Sequence, residues 1–199
     1  MKATWSDGWL QQARRVDSPN RDLRPAGDVA TLVVVHSISL PPGEYGGDAV
    51  ERLFTNRLDW KSHPYYEAIR DLKVSSHFYI RRDGELVQFV SCDARAWHAG
   101  ASVWSGRVNC NDYSIGVELE GLDGDRFDDI QMTRLASLLR ALDRRYPIDS
   151  VVGHEHVAPG RKRDPGAAFD WDRLRRLLRW RARRFPAAAR GAGGAAKPN

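Results

Sequence analysis

The chain is poor in cysteine and has no long apolar run. Its 199 residues include two cysteines, Cys92 and Cys110, which are too few for a disulfide scaffold and agree with a reducing compartment. Nowhere do roughly eighteen apolar residues follow one another, which excludes a membrane-spanning helix. Residues 1–19 contain no apolar core of a secretory signal. We therefore expect a cytoplasmic protein without a membrane span.

Internal repeats and compact metal motifs such as HExxH and CxxC are also absent. The chain has 42% hydrophobic and 29% charged residues with seven tryptophans, a composition typical of a soluble globular protein. Its formal net charge of +5 is compatible with nucleic acid or an anionic substrate as a partner. However, residues 173–184 contain seven arginines, so much of the excess belongs to one segment. The charge balance therefore says little about partners.

The apolar patterns predict an α/β fold, with a mixed central β-sheet flanked by helices in a single domain. The β-branched run from Leu32 to Leu40 predicts a strand buried on both faces. Alternating residues around Asp83-Gly84 predict a hairpin with strands at 76–82 and 85–90. Further strands are predicted in SIGVELEG and SVVGH. The domain covers residues 1–185, and the low-complexity tail, residues 186–199, is predicted to be disordered.

Helical patterns occur in four places between these strands. A short N-terminal helix capped by Asp7 is predicted, and longer helices follow from the apolar spacing and the capping residues. Residues 92–113 show no clear period and are predicted to form a long loop that lines a site. The four predicted helices are residues 7–15, 48–56, 128–146 and 169–185.

Two histidines stand where valine-rich strands end, which is how rigid metal ligands are often delivered. His36 interrupts LVVVHSISL, and His154 follows SVVG. A catalytic zinc needs three protein ligands and one open position, and Asp164, fixed by the following Pro165, supplies a suitable carboxylate. The alternative stays open, because a buried histidine is often only a hydrogen-bonded core residue and DPG only a turn.

A hydrolytic zinc site also needs a base and a cation to stabilise the developing oxyanion. Glu118, flanked by valine and leucine, is a candidate base, and Glu120 on the same strand face competes for this role. Lys162 is the candidate cation, whereas Arg161 and Arg163 would point elsewhere if the segment is extended. Each of these residues is otherwise an ordinary solvated charge.

Several ordered blocks together resemble the zinc N-acetylmuramoyl-L-alanine amidase superfamily, which also includes phage amidase-type lysozymes and peptidoglycan recognition proteins. Within it, the chain is most similar to the cytoplasmic 1,6-anhydro-N-acetylmuramyl-L-alanine amidases of peptidoglycan recycling. The resemblance runs from about residue 7 to 171 and implies an amidase fold. The blocks are DGWL, ARRVDSPN, LVVVHSISLPPGEYGG, HPYY, VSSHFYIRRDGELVQFV, RAWHAG, CNDYSIGVELEG and GHEHVAPGRKRDPG.

The resemblance implies a role for each matching residue. It implies Zn2+ bound by His36, His154 and Asp164, with Glu118 as the catalytic base and Lys162 polarising the scissile carbonyl. The zinc would make its bound water a nucleophile at neutral pH, and the lactyl amide between 1,6-anhydro-N-acetylmuramic acid and L-alanine would be hydrolysed.

The resemblance also implies residues that bind the substrate, an anhydromuropeptide. Trp97 and His98 resemble part of the saccharide and peptide groove, whereas His77 resembles a structural position. Lys73 and Asn109 stand where close relatives carry arginine, so affinity for the charged groups of the substrate is expected to differ. We expect a monomer that binds no nucleic acid.

Three other functions stay open on the sequence alone. Noncatalytic members of the superfamily bind muropeptides without metal, although they do not keep all five zinc-site and catalytic residues. An amidase-type lysin would act on polymeric peptidoglycan. A nucleic-acid binder would use residues 173–184, although Leu174, Leu177 and Leu178 favour docking of that helix on the domain.

Overall fold

The computed structural model describes residues 3–186, which form short strands, helices and connecting turns around one central sheet. Pro186 is the only residue of the predicted disordered tail that lies within the described residues. None of the helices in this range combines the length and apolar character needed to cross a bilayer. The strands are β1 Trp5–Ser6, β2 Trp9–Leu10, β3 Arg14–Arg15, β4 Arg21–Leu23, β5 Leu32–Ile38, β6 Phe78–Ile80, β7 Leu86–Gln88, β8 Ala94–Ala96, β9 Val103–Trp104, β10 Arg107–Val108, β11 Ser114–Glu120 and β12 Ser150–Gly153. The α-helices are α1 Ala49–Phe54, α2 Pro64–Ala68, α3 Asp129–Asp143, α4 His154–Val157 and α5 Trp171–Leu178.

The central sheet has six strands in the order β12-β5-β11-β6-β7-β3. The first four strands of this order run parallel, β6 and β7 pair antiparallel, and β3 joins β7 in parallel. The sheet is therefore mixed and helices flank it, which confirms the predicted fold class. Because β5, β11 and β12 are parallel, their carboxyl ends lie at one edge of the sheet, where α/β proteins commonly bind ligands.

Alternation along β5 and β11 separates the two faces of the sheet. One face packs Val33, Val35 and the odd-numbered apolar residues of β11 against α3 and α5, including Leu135 and Leu174. The other face carries the even-numbered residues and is covered by α1, α2 and residues 94–113. His36 and Glu118 belong to this second face. The polar side chains therefore lie opposite the main apolar core.

The hairpin around Asp83-Gly84 forms as predicted, with β6 and β7 shorter than the predicted strands. Gly84 has a φ of +83°, which glycine adopts without strain, and its N–H donates to the carbonyl of Arg81.

The predicted N-terminal helix at residues 7–15 is wrong. Asp7 and Gly8 both have positive φ and form the turn between β1 and β2, and Arg14–Arg15 joins the central sheet. Asp-Gly with both residues at positive φ is the preferred two-residue hairpin turn, and here it outweighs the helical spacing of the following residues.

The last helix is shorter than predicted. It ends at Leu178 because Arg179 adopts a left-handed backbone, and a single 3-10 turn follows at Ala182–Arg184. Residues 92–113 are also more regular than predicted, since they contain β8, β9, β10 and a 3-10 turn at Cys110–Asp112.

Candidate active site

Three parallel strands deliver polar side chains to one edge of the sheet. His36 lies near the end of β5, Glu118 occupies the register position beside it on β11, and His154 follows β12 directly as the first residue of α4. Asp164 reaches the same place from a turn, and its carbonyl accepts the backbone N–H of Glu155. The sheet and this hydrogen bond therefore place four residues that lie far apart in sequence.

The side chains of His36, His154 and Asp164 converge. His36 is 1% exposed and His154 3% exposed, and their Nδ1 atoms lie 3.0 Å apart. Asp164 Oδ2 lies 3.1 Å from each of the two Nδ1 atoms. The structure thus brings together the three residues for which the sequence predicts a shared metal ion.

This donor set fits zinc. Nitrogen from histidine and oxygen from aspartate are common zinc ligands, and tetrahedral bonds of about 2.0–2.1 Å put ligand atoms about 3.3 Å apart. His154 Nε2 lies 3.2 Å from the carbonyl of Ala99, which can only accept a hydrogen bond, so a neutral ring keeps Nδ1 bare. That lone pair points at the other two donors, an arrangement that a shared cation stabilises.

Burial keeps the His36 ring neutral, the form in which imidazole binds metal. Desolvation, and then the neighbouring His154, lower the pKa of His36 to about 4. His154 offers its Nδ1 from the adjacent strand end.

Glu118 is 7% exposed and stands beside the metal ligands. Burial, together with the negative charge of Asp164, raises its pKa well above the ordinary value, while Lys162 opposes this shift. Among the described residues, no group hydrogen-bonds its Oε2. A buried carboxylate oxygen without a partner is available to a water or a substrate.

Glu120, the competing candidate base, has a structural role. Its carboxylate accepts the backbone N–H of Gly46 at 2.5 Å and that of Arg82 at 2.9 Å. It therefore fastens the loop after β5 and the hairpin to the end of β11.

Residues 158–164 form a turn and not the extended segment assumed for Arg161 and Arg163. The backbone N–H groups of Arg161 and Lys162 both donate to the carbonyl of Ala158. Consequently all three basic residues line the cavity, and the prediction that the two arginines point elsewhere is wrong. Arg161 also donates to the carbonyls of Ala99 and Ala101 at 2.6 and 2.7 Å.

A cavity of about 440 Å³ opens over these residues. An apolar wall of its lining includes Leu53, Tyr65, Ile69 and Trp97, and a basic wall consists of residues 161–163. The lining also includes the histidine–aspartate cluster and Glu118. The cavity can therefore hold a ligand with one apolar and one anionic side above a metal centre.

The predicted substrate-binding residues divide into two groups. Trp97 and His98 line the cavity, and Trp97 Nε1 donates to Asp22 at 2.6 Å. Lys73 is exposed and does not line the cavity. Asn109, which is exposed with a left-handed backbone, does not line it either.

His77 lies in the core, as the resemblance implies. Its Nδ1 accepts the N–H of Gly116 at 3.0 Å, and its Nε2 lies 3.2 Å from the carbonyl of Ala94.

The sequence gives no signal for Asn111, which supports the site from behind. Its Oδ1 accepts the backbone N–H groups of His98 and Ala99 at 3.1 and 2.8 Å. It therefore holds the segment whose carbonyl contacts His154. A single asparagine in a polar stretch has no pattern that would reveal this contact before the chain is folded.

Comparisons with known proteins all point to one family. The family model described as N-acetylmuramoyl-L-alanine amidase matches residues 26–167. The chain is 52% identical over 174 residues to a protein of Citrobacter freundii called 1,6-anhydro-N-acetylmuramyl-L-alanine amidase AmpD, covering 86% of this chain and 93% of that protein.

Solved structures give the same result. A crystal structure of a selenomethionine AmpD derivative superposes with a TM-score of 0.86 at 52% identity, covering 88% of this chain and 99% of that one. AmpDh3 of Pseudomonas aeruginosa in complex with anhydromuramic pentapeptide is 27% identical with a TM-score of 0.53, covering 80% of this chain and 64% of that one.

Proposed function

The chain belongs to the N-acetylmuramoyl-L-alanine amidase family, and on that premise we propose that it hydrolyses an anhydromuropeptide in peptidoglycan recycling. The bond cleaved is the lactyl amide between 1,6-anhydro-N-acetylmuramic acid and the L-alanine of the stem peptide. The observation that carries the proposal is the convergence of His36, His154 and Asp164 beside a buried carboxylate with a free oxygen. The 52% identity to AmpD of Citrobacter freundii over 86% of this chain supports the choice of substrate.

The chain's own residues divide the work of hydrolysis. His36, His154 and Asp164 would hold a zinc ion, which would supply a Lewis acid for the carbonyl and for the attacking water. Glu118 Oε2 accepts a proton from the attacking water and then delivers it to the departing L-alanine nitrogen. Lys162 places positive charge near the carbonyl oxygen as negative charge develops there. One water is consumed, and a muramyl carboxylate and a peptide amine are released.

The cavity walls orient the substrate. The apolar wall that contains Trp97 packs against the sugar, and the basic wall faces the carboxylates of the peptide. We assign Lys73 and Asn109 to outer contacts with the peptide, since both are exposed outside the cavity lining.

The proposal extends to the setting of the enzyme. We propose a cytoplasmic monomer that binds no nucleic acid. The two cysteines are free and buried, which suits a reducing compartment.

Asp164→Ala tests the proposed function. The variant loses one of three metal ligands, so we expect zinc content well below one ion per chain and almost no amidase turnover. Asp17→Ala is the matched control, because that aspartate is exposed and pairs with Arg15 on the surface. A variant that keeps stoichiometric zinc and full turnover would contradict the metal assignment.

The substrate is tested by assaying soluble anhydromuropeptides beside intact sacculi. We expect faster release of peptide from the soluble substrate at equal concentrations of stem peptide. Faster release of peptide from sacculi would contradict the recycling function and identify the chain as a lysin that acts on polymeric peptidoglycan. Binding of muropeptide with no hydrolysis by the zinc-loaded protein would identify a recognition protein.

A further inference from the structure

His98 sits behind the metal ligands and contacts one of them directly. Its Nδ1 lies 2.9 Å from Nε2 of His36, which is the ring nitrogen that faces away from the metal cluster. Its Nε2 lies 3.2 Å from Oγ of Ser114, on the neighbouring strand β11. Both ring nitrogens are thus used in contacts with protein groups.

Ser114 determines the donor and the acceptor in each of these hydrogen bonds. The hydroxyl of Ser114 donates to the carbonyl of Cys110 at 2.5 Å, and a carbonyl oxygen can only accept. Because the single hydroxyl proton is used there, Ser114 Oγ can only accept from His98 Nε2–H. A neutral His98 then has a bare Nδ1, which accepts the proton of His36 Nε2–H.

The same chain determines the form of His36. With its proton on Nε2, a neutral His36 ring presents a bare Nδ1 to His154 and Asp164. We infer that His98 is a positioning residue that holds His36 in the Nε2–H tautomer and thereby prepares the metal site. This inference rests on the proposed zinc site, and it assigns His98 an action through His36 in addition to its place on the cavity wall.

The backbone around His98 is built to keep its ring in this place. Asn111 Oδ1 accepts the N–H groups of His98 and Ala99, so one side chain fixes both residues that contact the ring nitrogens of His36 and His154. On β11, a Cβ added at Gly116 would lie 2.6 Å from Cγ of His98, closer than real carbon contacts allow. The glycine therefore leaves the space that the imidazole fills.

Two variants of His98 separate positioning from substrate contact. His98→Asn retains an acceptor near the position of Nδ1, whereas His98→Leu has a similar bulk and no acceptor. We expect zinc affinity, measured by chelator competition, to fall about 10- to 100-fold in His98→Leu and to recover largely in His98→Asn. Because His98 also lines the cavity, the KM of each zinc-saturated variant reports on substrate contact separately from the zinc affinity.

Ser114→Ala gives a second test that touches neither substrate nor metal. Ser114 does not line the cavity, but its loss leaves His98 free to take either tautomer. We expect a smaller drop in zinc affinity than in His98→Leu. In nitrogen-15 spectra of the zinc-free protein, His36 should show the Nε2–H tautomer in the parent chain and a mixture in Ser114→Ala and His98→Leu.

The outcomes are distinct. Unchanged zinc affinity and a raised KM in His98→Leu would overturn the inference and make His98 a substrate contact alone. An Nδ1–H tautomer of His36 in the parent chain would also overturn it. If the parent chain itself binds no stoichiometric zinc, the proposed function fails first, and the His36 tautomer still reports on the hydrogen-bond chain.

Discussion

Four histidines of this protein share one environment and differ in what their ring nitrogens contact. His36 and His154 direct Nδ1 at Asp164, and His98 connects the metal ligand His36 to Ser114. His77 contacts the backbone of Gly116 and Ala94 and the guanidinium of Arg24. Sequence patterns predicted the two ligands because both stand at the ends of valine-rich runs. They could not separate His98 from a groove residue, since the distinction depends on a hydroxyl sixteen residues away.

At this scale the proposed base is tested by Glu118→Gln. The amide keeps the size of the side chain but cannot accept a proton, so we expect kcat to fall about 100- to 10,000-fold. Zinc content should stay at that of the parent chain, because Glu118 is not one of the three ligands. Steady-state kinetics with metal analysis measure both.

Glu120→Gln is the matched control for that experiment. Its carboxylate fastens two backbone N–H groups, so the substitution should lower the midpoint of thermal unfolding more than the turnover of folded enzyme. Equal losses of turnover in the two variants would reopen the choice of base.

His77 makes the free energy of unfolding depend on pH. Burial, and then the charge of Arg24, lower its pKa from 6.5 to about 3, and the neighbouring ring of His98 is also neutral. Between pH 6.5 and about 3, the unfolded chain therefore binds a proton at His77 and the folded chain does not. Stability from this group is fully present above pH 6.5 and is lost as pH falls toward 3, by up to about 1.4 kcal/mol per pH unit.

We expect His77→Asn to be less stable than the parent chain at pH 7 but to lose less stability on acidification. Urea unfolding of both zinc-free chains between pH 7 and 4 measures this, since the other histidines titrate in both and cancel in the difference. Parallel pH profiles would show that His77 takes up no extra proton on unfolding.

At the scale of elements, prediction succeeded where local and tertiary signals agree. For α3, the apolar stripe, the aspartates of the first turn and Pro147 gave nearly the observed bounds. The N-terminal residues failed because helical spacing over 7–15 competes with an Asp-Gly turn, and the pairing of Arg14–Arg15 with β7 is not visible locally. The amphipathic pattern of α5 continues past Arg179, so the predicted helix was too long. No sequence pattern predicts the left-handed backbone of Arg179 that ends the helix.

Gln131 links α3 to the sheet and gives a test at this scale. Its side chain accepts the N–H of Asp128 and donates to the carbonyls of Ile80 and Glu120 while fully buried. Gln131→Met should lower the free energy of unfolding by about 2 kcal/mol, because buried polar groups lose their partners. Gln11→Met on the exposed surface is the control, and equal stability of the two variants in urea would contradict the proposed link.

At the scale of the whole molecule, the resemblance over residues 7–171 predicted the family, and the family model and the relatives confirm it. The sequence left open whether the arginine-rich residues 173–184 bind nucleic acid or dock on the domain. In the structure Arg173, Arg175 and Arg184 pair with aspartates, and Leu174 and Leu178 are buried in the core. Several of the positive charges in residues 173–184 are therefore neutralised by aspartates of the same chain. A count of charges along the sequence does not reveal such pairs.

We consequently expect weak retention of the intact chain on immobilised DNA, with elution at or below physiological salt. Truncation near residue 170 would remove part of the core, so substitution of Arg179, Arg181 and Arg183 by glutamine is the better comparison. Tight retention at physiological salt that disappears in the substituted chain would instead support nucleic-acid binding by residues 173–184.

The register of β5 and β11 has a consequence for how such an enzyme can diversify. His36 and Glu118 face each other on neighbouring parallel strands, so backbone pairing, with its repeat of about 4.8 Å, sets their separation. The walls that meet a substrate come instead from connecting segments outside the sheet. Grafting those segments from another amidase should alter substrate selectivity, while the sheet keeps the spacing between His36 and Glu118 unchanged.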